Sequence, residues 1–158
     1  EVTIPIAEKL FSKYSTPNKL ANAKLISVKN VIMPINFYKT KARNIIGCAK
    51  ELVKNYNGKI PHDFNKLVEL PGVGRKTANV FLAEHGKHAL PVDTHVFQIS
   101  RILGWAKSDN LHKVEEELKN LFPKKYWQRI NSTLVRFGKT YTSRKQKDKI
   151  LNEIKRIR

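Results

Sequence analysis

A single cysteine, Cys48, stands in 158 residues. An intramolecular disulfide is therefore impossible, and a metal or iron–sulfur centre built on several thiolates is excluded. A reducing intracellular setting suits such a chain. No apolar run approaches the roughly 20 residues that cross a bilayer, and the opening residues carry no signal-peptide pattern. The chain starts Glu1-Val2-Thr3 without methionine, which reads as a fragment or a processed form. No stretch alternates apolar and polar residues long enough to form a strand, and no solenoid repeat is present. Acid is scarce too. Asp and Glu number 13 against 31 Lys and Arg, for a formal net charge of +18. Neutralising phosphates releases counterions, so this excess favours a nucleic-acid partner over a small metabolite.

What is there is helix. Thr3 and Pro5 mark a start for Ile4 to Tyr14, and Thr16-Pro17 repeats that signal for a short helix to about Ala23. A third segment, Lys24 to Met33, stops at Pro34. From Tyr38 to Tyr56, Ala42, Ile45, Ile46, Ala49, Leu52, Val53 and Tyr56 recur at three- and four-residue steps and make one apolar face. Cys48 falls inside it as a small buried or half-buried residue. Asn57-Gly58 ends the helix in a left-handed conformation. Asp63 caps a short helix through Glu69, a helix runs from Arg75 to about His85, and Asp93 opens another through Leu103. Leu111 to Phe122, Tyr126 to Phe137 and a basic tail complete an all-α chain with short connections.

The string Leu70-Pro71-Gly72-Val73-Gly74-Arg75-Lys76-Thr77-Ala78 joins two of these helices. Glycine lets the backbone turn back tightly and approach another molecule. The first amides of the following helix have no intrahelical partner and lie at the positive end of its dipole, so a phosphate is their natural ligand. A nucleotide-binding loop also contains Gly, Lys and Thr. That reading fails here, because Gly-Arg-Lys-Thr lacks the Gly-Lys-Ser/Thr ending and no strand precedes it. An ordinary helix–turn–helix corner explains Pro-Gly alone, but not the longer string.

Residues 70 to 80, together with Val92-Asp93-Thr94-His95-Val96-Phe97, resemble the endonuclease III family of DNA glycosylases. Phe37 to Ala42 and Asn57 to Pro61 match the family's approach segments, and the resemblance covers most of residues 1 to about 141. It implies a helix-hairpin-helix glycosylase fold: a compact multi-helix domain with a second helical lobe. Residues 1–22 would begin the second-lobe or barrel helices, 23–105 would hold the hairpin at 63–85, and 106–158 the C-terminal helices and basic tail. It implies Lys76 as the nucleophile that attacks C1′ of a damaged nucleotide and forms a Schiff base. Strand cleavage by β-elimination would follow, and Asp93 would be the catalytic carboxylate. Family members without strand-cleaving chemistry usually carry Ser or Tyr at the lysine position. The lysine role is chemically reasonable. An amine attacks only when neutral, its ordinary pKa is about 10.4, and the helix dipole and Arg75 both disfavour a second positive charge at Lys76. Asp93 doubles as an N-cap.

The resemblance further implies DNA contacts from Leu70, Gly72, Val73, Gly74, Arg75 and Thr77, with His95 as a further candidate. Arg101 would serve packing or the phosphate backbone. The partner would be double-stranded DNA carrying a damaged base, by analogy an oxidised pyrimidine, or an abasic site. The protein would act as an intracellular monomer, in cytoplasm or nucleoid, or nucleus. Two readings compete: a monofunctional mismatch glycosylase, which Lys76 disfavours, and a non-catalytic hairpin DNA-binding module, which leaves Lys76 with Asp93 unexplained.

Two departures stand out. Many family members hold a [4Fe–4S] cluster on four C-terminal cysteines. Here Thr142 stands about where the first ligand would be, and residues 139–158 contain no cysteine but eight Lys or Arg against Asp148 and Glu153. No cluster, metal or other cofactor is expected. Lys145, Lys149 and Arg156 would instead contact phosphates. The second departure is at the front, where the family carries two more helices and a polar loop that fills the space left by the flipped base.

Overall fold

The computed structural model describes residues 3–157, and among them every regular element is helical. They form two compact units, one ending at Gly74 and one starting at Arg75. This division follows packing. The three stretches expected from the sequence follow motifs and composition, so the two schemes differ.

The first unit contains α1 (Thr3–Lys13), α2 (Pro17–Ala21), α3 (Leu25–Ile32), α4 (Tyr38–Tyr56) and α5 (Phe64–Glu69). Thr3, expected as a cap, lies inside α1. Thr16 does cap: its side chain accepts from Lys19 N, with Pro17 in the first turn. α4 is the spine. Its buried residues Ala42, Ile46, Ala49 and Leu52 follow the three- and four-residue step, and α2 and α3 pack on it. Leu10, Leu20, Val28 and Ile32 close the core from the neighbouring helices. Each such side chain contributes on the order of 1.5–3 kcal/mol when fully buried. α4 ends as its sequence predicts. Asn57 (φ 51°) and Gly58 (φ 73°) are both left-handed, and Gly58 N donates to Leu52 O at 2.9 Å.

The second unit contains α6 (Arg75–Glu84), α7 (Thr94–Ile102), α8 (Leu111–Leu121), α9 (Trp127–Thr140) and α10 (Arg144–Arg156), with a 3-10 turn at Lys124–Tyr126. α9 runs one turn beyond the expected end at Phe137, since its amphipathic pattern continues to the buried Gly138. The tail is a 13-residue helix, and its buried Leu151 joins the core that Val96, Val114, Leu118 and Leu134 build. α7 packs against both α9 and α10. No helix among the described residues is long and apolar enough to cross a membrane.

Candidate active site and nucleic-acid interface

The turn before α6 is seated on α4. Val73 N donates to Leu70 O at 3.0 Å, with Pro71 and Gly72 at the central positions. Gly72 has φ 81°, which with that hydrogen bond is the geometry of a type II turn. A side chain at Gly72 would also meet Asn44, whose Cβ is 2.7 Å from where a Cβ would stand. Pro71 lies over Gly47, so close that a Cβ there would be 3.3 Å from the proline Cβ. Gly74 is different. Its φ is not left-handed and nothing lies within 4 Å of a Cβ placed on it. Gly72 thus makes the turn, and Gly74 leaves open space above the backbone. Leu70 is buried, an anchor of the turn rather than part of its surface.

Lys76 sits in the first turn of α6, exposed, with no hydrogen bond or ion pair to a described residue. Thr77 beside it is also exposed. Arg75 is half-buried, and its Nη2 lies 3.2 Å from Oε1 of Glu115. Glu115 in α8 is buried and also pairs with Lys119, whose ammonium stands 5.5 Å from the Trp127 ring centre. Asn79, one turn after Lys76, is buried, and its Nδ2 has no hydrogen-bond partner among the described residues.

Asp93 is the N-cap of α7, as expected. Its Oδ1 accepts from Val96 N at 2.9 Å, and no described residue donates to Oδ2. The approach to it is pinned from α9, where Asn131 Nδ2 donates to Pro91 O at 2.8 Å. His95 is half-buried against Gly138 of α9, where a Cβ would come within 2.7 Å of the imidazole Cγ. That contact gives His95 a packing role. Arg101 stacks its guanidinium 5.2 Å from the Phe97 ring centre. Lys145 is exposed on α10.

The second unit therefore holds Arg75, Lys76, Thr77, Asp93, His95 and Lys145, and the first holds Leu70, Gly72, Val73 and Gly74. Sequence reasoning missed Asn44 and Gly47, which seat the turn, and Glu115, which holds Arg75. It also passed over Phe37 as a feature in itself. That residue is 83% exposed and left-handed at φ 59°, a conformation uncommon for non-glycine residues. The spacing of Gly47 and Gly72 with Pro71 hints at close packing. No local signal marks Glu115 among its neighbours Glu116 and Glu117.

A four-thiolate cluster does not fit these residues. The only thiol, Cys48, is in α4 of the first unit, where burial pushes its pKa up. α10 occupies the stretch in which the cluster ligands would fall.

A lysine in the first turn of α6 and a carboxylate fixed at the start of α7, the next helix, thus stand in one all-helical unit. The chain belongs to the HhH-GPD superfamily of base excision DNA repair proteins, which matches residues 1–124. Its relatives include endonucleases III. That of Thermotoga maritima is 43% identical over 140 residues, covering 88% of this chain and 66% of the relative. The Bacillus subtilis protein is 38% identical over 136 residues, 85% and 62%. A trapped covalent endonuclease III–DNA intermediate superimposes with a TM-score of 0.83 at 37% identity, covering 88% of this chain and 66% of that one. A thermostable thymine-DNA glycosylase, at TM-score 0.74 and 20% identity, shares the fold. The chain spans about two thirds of the length of these relatives.

Proposed function

We propose that the protein is a base-excision DNA glycosylase with abasic-site lyase activity. One observation carries this reading: Lys76, exposed and unpaired among the described residues, shares a compact unit with Asp93, whose carboxylate has one oxygen engaged and one open. The neutral Lys76 amine forms a bond to C1′ of the damaged nucleotide as the bond from C1′ to the base breaks. The base leaves with the electron pair. Asp93 offsets the positive charge that develops on the sugar and accepts a proton from the lysine. Opening of the sugar ring yields the Schiff base. Loss of a proton from C2′ then breaks the C3′–O bond and expels the 3′ phosphate, and water releases the lysine.

Damaged DNA is the substrate class, with oxidised pyrimidines the first candidates, and damaged bases are the easier ones to extrude. Phosphate is bound by the amides that open α6, with Thr77 and Arg75 as further donors. Gly72, Gly74, Leu70 and Val73 shape the backbone that approaches it. His95 supports the carboxylate end of α7, and Phe37 presents an exposed ring of the kind that wedges between base steps. Lys145 adds general electrostatic attraction. The protein acts as a monomer inside the cell.

The test is borohydride trapping on duplexes carrying an abasic site or an oxidised pyrimidine. A covalent adduct lost in Lys76→Gln is the expected result. Base release without an adduct means a monofunctional glycosylase, and binding without either means a non-catalytic module.

A further inference from the structure

The second unit has a groove that the proposed reaction does not use. It lies between α7 and α10 and encloses about 980 Å³. Leu151 anchors α10 there, and Arg144, Lys147, Asp148 and Lys155 line the same side at helical spacing. Across from them, Arg101 and Lys107 line the other wall. Five cations thus face one carboxylate, an excess of four. The carboxylate is itself engaged, since Asp148 Oδ2 is 3.8 Å from Arg144 Nε.

Charges of one sign crowded along a groove repel one another and weaken the fold unless an anion joins them. The spread of the cations indicates what kind of anion. Arg144 and Lys155 are eleven residues apart on one helix, roughly 16 Å at the usual rise. A single small anion cannot meet both ends, whereas a phosphodiester chain presents charges along its length. The groove also starts at His95, two residues past Asp93, so it leads away from the proposed catalytic carboxylate along α7. The remaining basic residues of α10 are separate. Lys145, Lys149 and Arg156 form a different stripe of the helix and do not line the groove.

We propose that the α7–α10 groove binds the phosphodiester backbone of a DNA strand flanking the lesion, with Arg101, Lys107, Lys147 and Lys155 as its contacts. This rests on the DNA-repair reading above. It assigns the bound contacts of the tail to the groove-lining stripe and leaves the outer stripe with long-range attraction only.

The experiment compares two double variants of the full chain that lose equal charge: Lys147→Gln/Lys155→Gln in the groove and Lys145→Gln/Lys149→Gln outside it. Affinity for a duplex with a non-cleavable abasic-site analogue is measured between about 50 and 200 mM salt, where each phosphate contact contributes about 0.9 to the log–log slope. The groove variant is expected to lose about 2 from the slope and on the order of 10- to 100-fold in affinity, and the outer variant less than about 0.5 in slope. Equal losses in both, or none in the groove variant, overturn the proposal. Trapping on abasic DNA at saturating concentration separates it from the reading beneath it. A wild-type protein that forms no adduct defeats the enzyme assignment. One that forms the adduct while the groove variant keeps its slope defeats the groove alone.

Discussion

Arg75 reaches from the residue before the proposed nucleophile to Glu115, with Nη2 and Oε1 3.2 Å apart and the glutamate buried in α8. Glu115→Gln removes the counter-charge of both Arg75 and Lys119. Breaking a buried pair costs about 3–5 kcal/mol. Arg75 is more than a third exposed, so a loss of about 2 kcal/mol is expected after screening. Arg75→Met leaves the Lys119 pair in place and costs less. Urea denaturation of both variants checks the order, and an Arg75→Met protein that is less stable than Glu115→Gln contradicts it.

Asp93 caps α7, and substitution can separate that from its proposed catalytic role. Asn caps a helix about as well as Asp, whereas Ala forfeits about 1 kcal/mol. Asp93→Asn is expected to fold with wild-type stability and to form the borohydride adduct at least 100-fold more slowly, since removing an aimed electrostatic group costs about that much. Asp93→Ala loses both stability and rate. Wild-type trapping by Asp93→Asn refutes the catalytic role.

The two glycines of the turn are expected to respond differently. Gly72→Ala meets both a left-handed backbone and Asn44, and loses about 1–3 kcal/mol. Gly74→Ala meets neither, so its thermal midpoint stays within about 2 °C of wild type, as for other mild surface changes. Its affinity for DNA falls if a phosphate approaches that backbone. Thermal melts and binding curves on the same two proteins decide the matter.

His95 and Gly138 form a tight pair between α7 and α9. Gly138→Ala forces the imidazole aside and is expected to cost about 1–3 kcal/mol, the range for overpacking. Adding His95→Ala should recover part of that loss. A double variant no more stable than Gly138→Ala alone rejects the contact as the cause.

Cys48 has its pKa raised by burial. The folded state therefore keeps its proton where the unfolded chain gives it up. Below the ordinary thiol range both states are protonated and pH has no effect through this group. As pH rises through that range the unfolded state gains, so stability falls. Cys48→Ala removes this part of the slope, and maleimide labelling of the native thiol is slower than that of an unfolded peptide. An unchanged alkaline slope in Cys48→Ala points to other groups.

Much of the fold is legible along the chain because its signals are local. Thr16, Asp63 and Asp93 cap the helices they were expected to cap, and α4 runs over the expected residues. α9 outran its expected end because Gly138, which reads locally as a stop, is instead buried inside the helix against His95. Lys76 and Asp93 stand out along the chain for a further reason: the strings around them are specific as a pair. They stand seventeen positions apart, and no local pattern puts them in one compact unit.

By itself, then, the sequence determined the helices, the turn at Gly72, the positive charge and the single thiol. Each of these depends on neighbouring residues or on composition. Tertiary structure alone decided that Arg75 answers to Glu115 forty residues away, that His95 lies on Gly138, and that Pro71 rests over Gly47. It also divided the basic residues of α10 between a groove and an open face. Charge and van der Waals contact act between groups that packing brings near, and residue order carries no local mark of that nearness.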